Sequence, residues 1–298
     1  MLSEVKLMFD QIIQFLATGL SIGSTYALVG LGFAIIYNAS GVVNFAQGEF
    51  VMLGAMSVVG LLGAGVPYPL ALLVAIAIVT LVGFSLNKFA IEPARGASVV
   101  ATIIITIGAS ILLRGAALLI WGKDIFSMPA FTGDEPIQIG AATLVPQNLW
   151  IMGITVILVL GVRYFFDKTL IGKAILACSC NKTAAGLVGI NVKLMLLTSY
   201  GLSAAIGAVA GLLIAPIAFT SFDAGTMLGL KGFAAAILGG MGSSMGAVAG
   251  GLVLGVLESL GAGLISSGYK DAIAFVIILA VLFFKPSGLF GFKSVDRV

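Results

Sequence analysis

The sequence predicts an all-α fold, a polytopic membrane bundle of eight or nine transmembrane segments with one glycine-rich segment that is broken or re-entrant. Three observations carry that expectation. Of the 298 residues 60% are hydrophobic and only 9% charged, too few charges to coat a water-soluble domain. Uncharged runs cover 11–48, 50–87, 136–162, 194–222 and 232–257, each longer than the roughly 20 residues that span hydrocarbon as a helix. Forty glycines suit helices that pack closely where no hydrophobic drive brings them together. A β-barrel would instead alternate apolar and polar residues in segments of about ten, a pattern absent here. The whole chain, 1–298, reads as a single membrane domain.

The first run follows Glu4 and Asp10 and is too long for the core of a cleaved signal, so the spacing predicts an uncleaved first anchor at 11–37. Further helices are expected at 48–65, 69–88, 97–121 and 148–166. Between the first two lies "VVNFAQGEF", residues 42–50, with Asn44, Gln47 and Glu49 in otherwise apolar surroundings. Lys88 and Arg95 mark one basic loop, and Arg163, Lys168, Lys173, Lys182 and Lys193 mark another. The loop 121–146 sets Lys123 against Asp124, Asp134 and Glu135. Lysine and arginine accumulate on the cytoplasmic side, which puts the basic loops inside, the acidic one outside and the N-terminus outside. Lys285, Lys293 and Arg297 place the C-terminus inside and residues 266–270 outside, with Lys270 a minor exception. Parity between the outer loops near Asp223 and Ser266 then requires two crossings or a re-entrant hairpin. "LGGMGSSMG", 238–246, is its expected break, with Gly239, Gly240, Gly242, Gly246 and Gly250 as the glycine hairpin.

Within this frame a few side chains stand out. Arg114 falls inside an apolar run, where a charge is costly unless it snorkels to the interface or faces a polar pathway. Thr102, Thr106 and Ser110 recur every four residues before it, either as a polar stripe or bonded to their own helix. Glu258 closes an apolar run and reads as interfacial. Glycine pairs at spacing four, Gly19 and Gly23, Gly207 and Gly211, Gly251 and Gly255, offer flat faces for a neighbouring helix, static or moving. The loop 167–193 contains a short helix expected from residue 173 to 188, which lies at the membrane surface for a partner or simply flanks a crossing.

Several chemistries are excluded. The chain has no histidine, so the commonest general base, metal ligand and neutral-pH switch are missing. Cys178 and Cys180 have no further partners to complete a metal site. No phosphate-binding lysine loop or dinucleotide fingerprint occurs, so no cofactor or nucleotide site is expected in this chain. A net charge of +3 gives no electrostatic footprint for nucleic acid.

Four stretches in order resemble one family: "GLSIGSTYALVGLGFAIIYNASGVVNFAQGEF" from Gly19, "GKAILACSCNKTAAGLVGINV" from Gly172, "GFAAAILGGMGSSMGAVAGGLVLGVLES" from Gly232 and "SSGYKDAIAFVIILAVLFFKPSGLFG" from Ser266. They are similar to the branched-chain amino acid permeases of bacterial ABC importers. The resemblance implies an inner-membrane transport subunit that is not itself an enzyme. Its implied partners are a second permease (another chain or a second copy), two cytoplasmic ATPases that bind ATP, and an external solute-binding protein. It also implies that 167–193 is the segment coupled to the ATPase, with Gly172, Lys173, Asn181, Ala185, Gly189 and Ile190 as its candidate residues. Family members commonly carry histidine at the position of Gln47, so no proton relay is expected there. Asn44, Gln47 and Glu49 then either cap a helix break, with Glu49 near a positive helix end, or together with Arg114 face the route of a zwitterionic solute. Alternatives are a permease for another small polar solute (another amino acid, an amide, urea or a sugar) and, from a different class, a secondary transporter.

Overall fold

The computed structural model describes residues 2–94, 96–139, 142–285 and 287–290. Arg95, Lys293 and Arg297, which carry part of the expected charge asymmetry, lie outside the described residues. Eleven α-helices occur among them: α1 (Leu2–Ser40), α2 (Gln47–Gly63), α3 (Tyr68–Leu86), α4 (Val99–Trp121), α5 (Pro146–Lys168), α6 (Leu170–Cys180), α7 (Lys182–Leu187), α8 (Val192–Ile214), α9 (Ala224–Gly239), α10 (Ser244–Leu264) and α11 (Lys270–Phe284). One π-helical turn, Asn87–Ile91, extends α3. A departure from the all-α expectation is a small antiparallel hairpin in the acidic loop, β1 (Ile137–Ile139) with β2 (Ala142–Leu144), in which Ile137 pairs with Leu144.

Helix ends fall where local chemistry dictates. Ser98 caps α4 by accepting from the Ala101 N–H at 3.2 Å, Asn191 caps α8 from Leu194 at 3.2 Å, and Ser243 caps α10 from Gly246 at 3.0 Å. α1 stops at Gly41, whose positive φ of 76° turns the chain while its N–H closes on the Tyr37 carbonyl. The surface helix expected from 173 to 188 is two helices. Asn181 takes an extended conformation and its side chain accepts from the Ala184 N–H at 3.0 Å, so it ends α6 and starts α7.

Among the described residues six helices are long and apolar enough to cross a membrane: Met8–Ser40, Tyr68–Ile91, Val99–Trp121, Pro146–Lys168, Val192–Ile214 and Ser244–Leu264. Six is fewer than the eight or nine expected. The other apolar helices expected to cross, α2, α9 and α11, have 17, 16 and 15 residues, shorter than the roughly 20 that span hydrocarbon.

α1 is the central post. It runs antiparallel to α10, since Gly19 meets Val256 while Asn38 at the other end meets the turn at Gly242. α10 carries two glycine faces: Gly251 and Gly255 seat α1, whereas Gly246 and Gly250 seat α9. A Cβ on Gly23 would lie 2.9 Å from the Gly251 carbonyl, so the two backbones touch. On α8, Gly207 and Gly211 admit Phe50 and Val51 of α2 in the same way. Between α9 and α10 the chain turns through Gly240 and Gly242, with φ of 104° and 99°, a region that only glycine enters freely. The open carbonyls of Leu238 and Gly239 are satisfied by the N–H groups of Leu289 and Phe290 at 2.8 and 3.0 Å.

Candidate functional site

Residues 41–46 are non-helical chain that runs from the exposed Gly41 to the buried Asn44 and Ala46, and buried backbone groups need polar partners. Asn44, fully buried, supplies one, its Oδ1 accepting from the Ala46 N–H at 3.2 Å. Gln47, also fully buried, ties three helices together. Its Nε2 donates to the Ser203 carbonyl of α8 at 3.3 Å, while the Ser203 hydroxyl sits 2.7 Å from Gln47 Oε1 and 2.8 Å from the Gly32 carbonyl of α1. Asn44 Nδ2 is buried with no hydrogen-bond partner among the described residues.

Glu49 behaves differently. It lies in the first turn of α2 without a side-chain cap hydrogen bond; its Oε1 accepts from the Ser110 hydroxyl of α4 at 2.8 Å and its buried Oε2 has no hydrogen-bond partner among the described residues. The polar stripe of α4 faces this junction. Thr106 Oγ1 accepts from the Phe45 N–H at 3.2 Å, Ser110 meets Glu49, and Arg114 Nη1 donates to Thr226 Oγ1 of α9 at 3.0 Å, whereas Thr102 bonds only its own helix at Ser98. Glu49, Ser110, Arg114 and Thr226 line one cavity of about 230 Å³, with Phe33 and Phe45 among its apolar walls. Neither Asn44 nor Gln47 lines it. α9 comes this close because Gly225 packs against Gly48, where a Cβ would stand 2.6 Å from the Gly48 carbonyl. The cavity thus offers a carboxylate and a guanidinium across an apolar floor, complementary to a small solute bearing both an ammonium and a carboxylate.

The loop residues lie together at the end of the bundle that carries Lys88, Arg163, Lys168 and Lys193. Gly172 is buried in the bend between α5 and α6, where a Cβ would lie 2.7 Å from Phe166 Cα. Ala185 is buried, Ile190 half-buried, and Lys173, Asn181 and Gly189 are exposed. The Ile190 N–H reaches back to the Ala185 carbonyl at 3.0 Å, and the Lys182 ammonium donates to the Ser40 carbonyl at the end of α1. Leu170 and Leu187 are 87% and 84% exposed, an apolar surface on helices too short to span lipid. Glycines 239, 240, 242, 246 and 250 sit beside this end, with Gly242 against Asn38.

Glu258 is not interfacial. It is 0% exposed and accepts from Lys231 Nζ at 3.0 Å, Lys270 Nζ at 3.2 Å and the Tyr26 hydroxyl at 3.1 Å. Lys270, an exception to the charge rule, is explained by this contact. Lys231, in the apolar run of α9, was the sequence signal for a buried partner, but only tertiary packing brings it to α10.

Residues 15–282 match the family model described as branched-chain amino acid transport system / permease component. The chain is 33% identical to the high-affinity branched-chain amino acid transport system permease protein BraD of Pseudomonas aeruginosa, over 96% of this chain and 98% of that one. To LivH of Escherichia coli, named for the same transport system, it is 32% identical over 98% of this chain and 100% of that one. The ribose import permease protein RbsC of Escherichia coli is 28% identical over 87% and 82%. Among solved structures, PsaBC from Streptococcus pneumoniae in complex with Fab shares the fold with a TM-score of 0.51 at 15% identity, covering 96% of this chain and 97% of that one. With glycine-seated helices and a polar cavity at a helix break, and with that match over nearly its whole length, the chain belongs to the permease component family of branched-chain amino acid transport systems.

Proposed function

We propose that this chain is a membrane-spanning subunit of an ATP-driven importer for leucine, isoleucine and valine, and a transport subunit rather than an enzyme. The observation that carries the reading is the near full-length similarity to two permeases named for branched-chain amino acids, BraD and LivH. It sits in the inner membrane, pairs with a second permease or a second copy of itself, receives solute from an external binding protein and is driven by two cytoplasmic ATPases that bind the ATP. Nine crossings, α1 to α5 and α8 to α11, put the basic end inside by the charge rule, with the α9–α10 hairpin turning near the inner surface.

Solute moves by alternating access between outward-open and inward-open packings. The Glu49–Arg114 cavity is part of the route, with Glu49 holding the solute ammonium and Arg114 its carboxylate, while Asn44 and Gln47 keep the break in place. The α6–α7 pair is the coupling element: its exposed leucines suit a protein partner, and its contact through Lys182 with the end of α1 gives a short path to the bundle.

The 28% identity to a ribose permease sustains a second reading, a sugar as solute. Uptake of radiolabelled leucine and ribose by proteoliposomes holding the complete transporter and its binding protein separates the two. Leucine should accumulate with ATP and ribose should not; ribose uptake without leucine uptake overturns the assignment.

A further inference from the structure

α9 separates two cavities. Thr226, Gly229 and Leu230 face the one lined by Glu49 and Arg114, whereas Met227, Leu228 and Lys231 face another, of about 440 Å³, on the opposite side of the helix. That volume falls in the range of about 300–1,000 Å³ typical of small-molecule sites. Its walls are mixed, with Thr18, Ser21 and Asn148 among them. Lys231 of α9 converges with Lys270 and Asp271 at the start of α11, while Ile22 of α1 and Met227 and Leu228 of α9 make apolar wall.

The charges are arranged in depth. Lys231 Nζ lies 2.6 Å from Asp271 Oδ1 and 3.0 Å from Glu258 Oε1, and Lys270 Nζ lies 3.2 Å from the same Glu258 oxygen. Glu258 and Lys231 are buried, and both lysines share Glu258 Oε1, while Oε2 has no hydrogen-bond partner among the described residues. Asp271 is half exposed and, among the described residues, pairs with Lys231.

We propose that this cavity is a second solute site, binding a free branched-chain amino acid with its carboxylate on Lys231 and Lys270, its ammonium on Asp271 and its side chain against Ile22, Met227 and Leu228. Lys231, Lys270, Glu258 and Asp271 sum to zero charge, so a simple anion or cation would leave a net charge beside the buried Lys231 and Glu258, which is unfavourable, whereas a zwitterion keeps the sum at zero. A zwitterion enters between Lys231 and Asp271 and leaves every charge paired, because Lys231 keeps Glu258 throughout. The apolar wall favours a hydrocarbon side chain over a polar one. The occupant rests on the solute class proposed above, whereas the site is separate, since α9 stands between it and the Glu49–Arg114 cavity.

The test uses the complete transporter in nanodiscs without its binding protein, and measures leucine binding in competition with 4-methyl-2-oxopentanoate, which lacks the ammonium, and leucinol, which lacks the carboxylate. Wild type should prefer leucine over both. At this site Asp271→Asn should weaken leucine by about tenfold, the worth of a charge-assisted hydrogen bond, while leaving the oxo acid unweakened, and Met227→Trp should fill the cavity and lower the number of leucines bound per transporter. A structural fault in Asp271→Asn would weaken both ligands alike. Equal discrimination in wild type and Asp271→Asn overturns the site, as does recovery of a phosphatidylethanolamine from the cavity that leucine fails to displace. ATP-driven leucine uptake by the same preparation reads the solute class independently: uptake with unchanged discrimination sinks this site alone, and absence of uptake sinks the solute assignment and the occupant named here.

Discussion

Three neighbouring polar residues in one loop have separate tasks, and each task comes from what the side chain can reach. Asn44 and Gln47 satisfy backbone and side-chain groups around the helix break, while Glu49 reaches across to Ser110 and keeps one oxygen unpaired beside Arg114 and Thr226. Removing the Ser203 hydroxyl should strand the buried Gln47 amide and destabilise the protein by about 1–3 kcal/mol, read as a lower thermal midpoint of purified Ser203→Ala with its solute preference intact. Glu49→Gln keeps the Ser110 contact and removes the charge; leucine uptake in vesicles at unchanged expression should fall about tenfold, as for a lost charge-assisted contact, and a wild-type rate would exclude a required charge. The polar residues were visible in the sequence because they interrupt an apolar run. Their partners were not, since Ser203 lies 156 positions from Gln47 and Thr226 lies 112 from Arg114. Glu258 was misread for the same reason, because its nearness to a run's end says nothing of the lysine on the next helix.

At the scale of elements, small residues decide which helices touch. The glycine pairs at spacing four were legible and all serve as contact faces, but the sequence held no signal for which neighbour each face receives: Gly246 and Gly250 take α9 while Gly251 and Gly255, five positions along, take α1. Gly225→Val tests the most consequential of these contacts, as it would drive a branched side chain into the Gly48 backbone and the Glu49 carboxylate, 2.6 and 2.7 Å from a Cβ. Overpacking of this kind costs about 1–3 kcal/mol, and leucine uptake should fall further than stability does, because α2 and α9 are the walls of the Glu49 cavity. The α6–α7 pair was legible as a surface helix but not as two. Asn181 looked like one polar residue among many, and only its extended backbone makes it a cap for both.

For the whole molecule, the charge pattern predicts which end faces the cytoplasm, and two native cysteines report on it. Cys180 is exposed on α6, whereas Cys178 is buried and desolvation holds its thiol above the ordinary value, so it should stay unreactive. A membrane-impermeant maleimide should label Cys180 in inverted vesicles and not in right-side-out ones; the reverse pattern would invert the topology. The number of crossings is the least legible feature, since length and hydropathy find six long helices among the described residues while α2, α9 and α11 are shorter than a full span. As proposed above, the bundle is a gate moved from the cytoplasm through the exposed pair of short helices at its basic end. The most direct test is leucine accumulation in proteoliposomes holding the complete transporter, the transporter carrying Leu187→Asp, and this chain alone. Accumulation should require ATP and the complete assembly and be lost in Leu187→Asp together with the bound ATPase; accumulation against a gradient by the isolated chain would contradict it.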